Sequence, residues 1–425
     1  MSDVIEIRPL TRVEGHGIVR LYLDGKRAER VELALIEPPR LFEALLLGKR
    51  FDEVPEIICR ICSLCSTVHR VTSLLAVENA LGIEVSPETR LYRELIVYGG
   101  QIQSHALHLF CLALPDYYNA AGFADLAAKT PDLLKLGLRI KSVGNLIQET
   151  VGGRLIHPVN IIPGGMGKRV SRPDLLKLQG ALEDVLPAAV ETHNLFASFA
   201  APTRPLPRHS FLAVQGETAA SLFGDRLDSS RGRSVAVTNY REALPENVIA
   251  HSHAKQSRFE GEEVIVGALA RLNLGMKLPP MADKAFIDSR VKLIGVDIWG
   301  NNLAQAVELI MTVECALETV TNLLNKGAGP VGPAAVTPRK GSGSAATEAP
   351  RGVLIHSYDF DSRGYCTAAD IITPTAINQE AMERDLLALA REMESADDAE
   401  LRHLLEMLVR AYDPCISCAV HLVRL

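Results

Sequence analysis

The feature that most constrains this chain is a pair of Cys-x-x-Cys turns near its two ends. One is Arg60-Ile61-Cys62-Ser63-Leu64-Cys65-Ser66-Thr67-Val68-His69, the other Asp413-Pro414-Cys415-Ile416-Ser417-Cys418-Ala419-Val420-His421. Thiols at i and i+3 lie on one face of a helical turn, and His69, at i+4 from Cys65, continues that stripe. Only a fold that closes both ends onto one place can bring the four sulfurs together. Three chemistries suit such a set. Two thiolate pairs make a structural zinc site, a single pair can cycle as a redox disulfide, and soft donors also hold a redox-active transition metal. The cysteines alone leave all three open.

Composition removes several other classes. The 425 residues are 47% hydrophobic, enough for a substantial core. The formal charge is -6 and the basic residues are scattered, so no stripe neutralises phosphates and nucleic acid is not an expected partner. No apolar run reaches about 18 residues and no charged, apolar and cleavable leader is seen, so a cytoplasmic protein with no membrane span is expected. Eight cysteines are too sparse for a disulfide scaffold. Cys111, Cys315 and Cys366 read as small buried hydrophobes, while Cys59 is an extra thiol beside the first pair.

Residues 4–37 alternate as antiparallel strands around an Asp24-Gly25 turn. Pro38-Pro39 then opens a helix carrying Glu43. Helical patterns follow at about 71–81, closed by Gly82, and at 86–113, 131–150, 173–200, 302–325, 379–394 and 396–412. Ser395 and Asp398 form the expected cap of the last. His105 and His108 read as polar residues packed between helices, and His251, His253 and Lys255 as surface polarity. Gly164-Gly165-Met166-Gly167-Lys168 lacks the residue order of a phosphate loop and reads as tight packing. Residues 326–347, rich in Gly, Pro, Ala and Ser, read as a flexible loop. It precedes a hairpin that carries Arg351. No internal repeat is visible. The expected fold is mainly α with small antiparallel β-sheets, one large helical body over residues 1–425.

Five segments resemble, in order, the large subunit of nickel-iron hydrogenases. They are Thr11-Arg12-Val13-Glu14-Gly15-His16, the first cysteine turn, Gly152-Gly153-Arg154 with His157-Pro158 and Pro163-Gly164-Gly165, Glu348-Ala349-Pro350-Arg351-Gly352, and the last cysteine turn. His251-Ser252-His253 and Gly267 to Asn273 are similar to the cytoplasmic, bidirectional NAD(P)-linked, sulfhydrogenase-like branch. The resemblance implies nickel on Cys62, Cys65, Cys415 and Cys418, with Cys65 and Cys418 bridging to an iron that carries carbon monoxide and cyanide. It implies that Cys415 takes a proton and passes it to Glu14. Arg351 overhangs the metals as an alternative base, held by Asp116 and Asp413, and His69 bonds a bridging thiolate. The Thr375 hydroxyl bonds a cyanide. Glu43, the carbonyl of Ile371 and His421 bind a magnesium-type cation, the last after residues 422–425 are removed by a maturation endopeptidase.

Implied partners are a small subunit with iron-sulfur clusters and diaphorase-type subunits that bind flavin and NAD(P). Ser63 stands where the family usually has glycine, and Gln305 where relatives are often basic. Rival readings are an acceptor of the deazaflavin or ferredoxin kind, a quinone-handling relative, and a zinc-stabilised scaffold. The quinone reading predicts lost cysteines, and all four are present. The scaffold has no need of Glu14, Asp116 or Arg351.

Overall fold

The alternating apolar residues near the N-terminus form a three-stranded antiparallel sheet, β1 (Asp3–Ile7), β2 (Gly17–Asp24) and β3 (Arg27–Leu35), with the β2–β3 turn at Gly25 in the left-handed region. This is a computed structural model, which describes residues 3–38, 41–200, 202, 204, 206–216, 222–325, 332–334 and 336–420.

Long helices form the main body. They are α1 (Ser66–Leu81), α2 (Pro87–Leu107), α3 (Pro131–Gly152), α4 (Arg172–Ser198) and α5 (Asn301–Asn325). α2 packs on α3 and on α5, and α5 on α4, so α5 is buried over most of its length. Gly144 lets α2 and α3 touch backbone to backbone, because a Cβ there would lie 2.6 Å from the Gly99 carbonyl oxygen. α1 stops at Gly82, whose φ of 63° and N–H bond to the Glu78 carbonyl close the last turn. α1 begins earlier than its apolar pattern suggests, since Ser66, Thr67, His69 and Arg70 are polar yet buried. The helix expected over 86–113 changes character at its end, His108–Ala113 being a π-helix.

A second sheet delivers the C-terminal half of the site. β4 (Ser210–Gln215) belongs to a small four-stranded sheet in which it pairs in parallel with Val264–Ile265, a departure from the all-antiparallel expectation. β5 (Gly341–Ala349), β6 (Gly352–Phe360) and β7 (Cys366–Ile372) form the second antiparallel sheet, edged by Phe223–Gly224. The flexible loop expected over 326–347 is therefore corrected for 341–347, which is strand. Residues 326–331 and 335 lie outside the described residues. Small residues that look like linker are required here because β5 lies on α1. A Cβ on Gly341 would strike the Ala80 carbonyl, and one on Gly343 the Ala80 nitrogen.

Two helices close the chain, α6 (Pro374–Glu392) and α7 (Asp398–Ala411). α6 starts at Pro374, ahead of the expected 379, with proline in the first turn where its missing N–H is harmless. The cap of α7 is Asp397, whose carboxylate accepts from the N–H groups of Ala399 and Glu400; this corrects the expected Ser395–Asp398 pair. Among the described residues no helix is long and apolar enough to cross a membrane.

Candidate metal centre

Cys65 is the residue at which α1 begins, and Cys62 lies in the turn before it. Cys415 similarly opens the short helix Ile416–Ala419, which follows α7 and contains Cys418. The two turns meet with their four sulfurs within 4.8 Å of one another, each cysteine 2–4% exposed. Cys415 Sγ lies 3.4 Å from Cys62, 3.7 Å from Cys65 and 2.9 Å from Cys418. All eight cysteines are unbridged. Hydrogen bonds from Cys415 and Cys418 pull the Cys65 thiol well below its usual range, whereas burial pushes Cys415 and Cys418 well above theirs. A cluster of soft, convergent donors shut off from water suits a thiophilic transition metal, which would displace the remaining thiol protons.

The N-terminal loop reaches this cluster through Glu14. Its carbonyl accepts from Ile416 N–H, and its Oε2 accepts from Ser417 N–H at 3.0 Å while lying 3.2 Å from Cys415 Sγ. Oε1 is 3.9 Å from Cys62 Sγ. Gly15, at φ 87°, permits the approach, since a Cβ there would sit 2.7 Å from that of Ile416. Burial, then the Cys62 charge, raises the Glu14 carboxyl, with the bonds from Ser417 and Cys415 opposing. It therefore holds a proton more readily than an exposed glutamate.

Arg351 occupies the two-residue β5–β6 turn with Pro350. Its Nε donates to the Asp413 carbonyl at 3.1 Å, Nη2 to Asp413 Oδ1 at 2.9 Å, and Nη1 to Ser104 Oγ at 2.9 Å and Cys65 Sγ at 3.5 Å. Burial alone would lower its basicity, but Asp413 and then the sulfurs raise it well above the usual value. The group is a fixed cation here, which weighs against the alternative role of proton base. Gln305 Nε2 donates to Asp413 Oδ2 at 3.0 Å, so the residue that replaces a basic one helps hold the arginine's partner.

Asp116 corrects an expectation. Instead of Arg351 it binds Arg12 (2.5 Å) and Arg410 (2.8 and 2.9 Å), tying the N-terminal loop to α7. Asp116 lies on the helical turn Leu114–Tyr117 that follows the π-helix, from which His108 reaches Gln305 and the Arg410 carbonyl. His69 Nδ1 meets His356 Nε2 at 3.0 Å, a partner the sequence did not suggest. Thr375 Oγ1 accepts from Cys415 N–H at 2.9 Å. Cys59 is a buried thiol that donates to the Glu56 carbonyl, its pKa raised by burial. His105 is buried against Glu308, as expected of a packed polar residue.

A second cluster joins Glu43, Glu246 and Asp370, whose carboxylate oxygens lie within 4.8 Å of one another beside a cavity of about 450 Å³. Glu43 Oε1 accepts from the Ile371 N–H at 3.0 Å. Lys255 lies 2.5 Å from Glu246 and 4.0 Å from Glu43, which corrects its reading as surface polarity. Glu246 and Asp370 carried no motif and were missed. His421 lies outside the described residues.

A family model described as nickel-dependent hydrogenase matches residues 40–142 and 211–421, and a HoxL-like model matches 4–32. The chain belongs to the nickel-dependent hydrogenase family. It is 37% identical over 424 residues to sulfhydrogenase 1 subunit alpha of Pyrococcus furiosus, covering 99% of this chain and 98% of that one. The beta subunit of the NAD-reducing hydrogenase HoxS of Cupriavidus necator is 28% identical over 475 residues, covering 99% and 95%. Among solved structures, an NAD+-reducing [NiFe]-hydrogenase in the H2-reduced state superposes with TM-score 0.88 at 26% identity, covering 99% of both chains. The hydrogenase chain is thus a catalytic oxidoreductase subunit, and its four-cysteine site fits a nickel-iron centre. The mainly α fold with small sheets agrees with the sequence expectation.

Proposed function

We propose that this hydrogenase subunit splits dihydrogen reversibly and heterolytically, passing electrons through a small iron-sulfur subunit to NAD(P) in the cytoplasm. The observation that carries the reading is a buried four-thiol cluster with Glu14 set against Cys415 and Arg351 against Cys65. A structural zinc site needs neither group. Cys62, Cys65, Cys415 and Cys418 would hold the nickel-iron centre, with carbon monoxide and cyanide on the iron, and the bound centre supplies the Lewis acid and the electron acceptor that a weak acid such as dihydrogen requires.

The chain's own residues then move the proton and fix charge. Cys415 sulfur takes the proton, and Glu14 receives it across the 3.2 Å contact. Arg351, anchored by Asp413, supplies fixed positive charge beside Cys65 and excludes water. Asp116 acts at a distance by locking the loop that bears Glu14. Thr375 accepts from Cys415 N–H and keeps a hydroxyl proton with which to bond a cyanide. His69, held by His356, would bond one of the cluster thiolates. Glu43, with the Ile371 carbonyl and His421 after trimming of 422–425, would hold a magnesium-type cation, and the nearby carboxylates Glu246 and Asp370 suit a hard divalent ion. Diaphorase-type subunits with flavin would complete the path, and the NAD-reducing activity in the name of the Cupriavidus necator relative supports NAD(P) as its end.

Purification with co-purifying subunits, followed by nickel, iron and zinc analysis and an infrared spectrum, tests this. Nickel and iron at the site with carbon monoxide and cyanide bands, and NADP-linked turnover, are expected. Zinc alone in a matured preparation, with no diatomic bands, overturns it, and reduction of a deazaflavin or ferredoxin in place of NAD(P) reassigns the acceptor.

A further inference from the structure

The proposed chemistry does not use Arg271, which is 1% exposed on the short helix Ala268–Asn273. Its Nε and Nη2 bind both carboxylate oxygens of Glu308 on α5, and Nη1 binds Glu348 near the end of β5. The same guanidinium donates to the carbonyls of Ala349 at 3.2 Å and Pro350 at 3.4 Å, the two residues that immediately precede Arg351.

The other wall of the Arg351 pocket is reached through the same carboxylate. Glu308 Oε2 lies 3.0 Å from His105 Nε2. Burial keeps His105 neutral, and since its Nδ1 has no partner among the described residues, the proton sits on Nε2 and is donated to Glu308. His105 adjoins Ser104, whose hydroxyl accepts from Arg351 Nη1. The helix bearing Arg271 also abuts the turn directly. Its leading Gly267 has φ 123°, and a Cβ there would lie 3.3 Å from the Arg351 carbonyl oxygen.

We propose that Arg271 is a positioning residue for Arg351, holding both the β5–β6 turn and, through Glu308 and His105, the α2 wall that receives its guanidinium. A buried triad of one arginine and two glutamates adds little net stability over an apolar replacement of like shape, so stability alone gives no account of it. Its planar fork of donors spans two carboxylates and two carbonyls, which a lysine ammonium cannot do. The inference rests on the reading that Arg351 acts at the metal centre.

The test is a double-mutant cycle in the intact, metal-loaded complex, with Arg271→Lys, Arg351→Lys and both together. kcat, KM for dihydrogen, nickel content and the infrared bands of the diatomic ligands are read for each. Arg271→Lys is expected to lower kcat per nickel by roughly 10- to 100-fold with KM unchanged, as a small misplacement of a reacting group does. It is also expected to shift the infrared bands. In the Arg351→Lys background the same change should lower kcat by less than about 3-fold further, because coupled residues are non-additive. Losses that multiply, or unshifted bands with kcat per nickel intact, overturn the inference. Full activity of Arg351→Lys alone instead overturns the role given to Arg351 and removes the basis for Arg271. Should Arg271→Lys fail to accumulate, Glu308→Gln, which keeps the side-chain shape, takes its place in the cycle and is judged by the same outcomes.

Discussion

Glu14 and Cys415 are neighbours only because the first loop and the last turn of the chain pair as an isolated bridge. Replacing the carboxylate by an amide keeps the shape and removes the proton acceptor. Glu14→Gln is therefore expected to retain nickel while hydrogen–deuterium exchange falls by roughly 100- to 10,000-fold, followed by mass spectrometry of the gas phase. Unchanged exchange would transfer the proton to another path. Asp116 is read differently. Its substitution by alanine removes the main carboxylate partner of buried Arg410 and of half-buried Arg12 and should cost about 3 kcal/mol, measured by denaturant unfolding of the apoprotein. The sequence pointed to Asp116 as important through its resemblance, but to the wrong arginine. Which arginine it meets is decided by residues 104 and 294 positions away along the chain, which no local pattern announces.

At the scale of elements, the contact between α1 and β5 sets the distance between Cys65 and Arg351. Gly343→Ala is expected to destabilise the chain by about 1–3 kcal/mol, because the added Cβ meets the Ala80 and Ala76 backbone and a strand must shift. Thermal unfolding compared with Gly180→Ala, on the exposed face of α4 where the backbone is helical and the added Cβ meets open space, checks whether the loss comes from the packing. The α7 cap offers a milder test. Asp397→Ala should cost about 1 kcal/mol by denaturant unfolding, and Ser395→Ala close to nothing. Composition misled at both places. Gly-Ser-Gly-Ser reads as linker until a helix is known to lie over it, and either of two neighbouring acids can cap a helix until the backbone chooses one.

Across the whole molecule, His209 joins the small sheet to α6. Its Nε2 meets Asp385 at 2.6 Å and its Nδ1 meets Glu263 at 3.0 Å, while Tyr412, next to Asp413, donates to Asp385. Burial alone would lower the imidazole pKa, but the two carboxylates raise it from 6.5 to about 9. A folded pKa above the unfolded one means the stabilisation is complete below about pH 6.5 and is lost as pH climbs through about 9. On the order of 3 kcal/mol is involved. Unfolding free energy of the apoprotein, compared between pH 6 and pH 10, should fall by this amount beyond other titrations. His209→Gln should flatten that part of the profile.

The sequence by itself determined the donor set, the long helices and the family, because thiol pairs, apolar periodicity and short ordered motifs are local properties. Glu14, Arg351 and Asp413 were legible for the same reason, each lying inside such a motif. What only the tertiary structure decided is who meets whom. Arg271, Glu246, Asp370, Arg410 and His356 act through partners far away along the chain, and a buried charge or hydrogen bond is defined by the three-dimensional neighbour that desolvates and satisfies it.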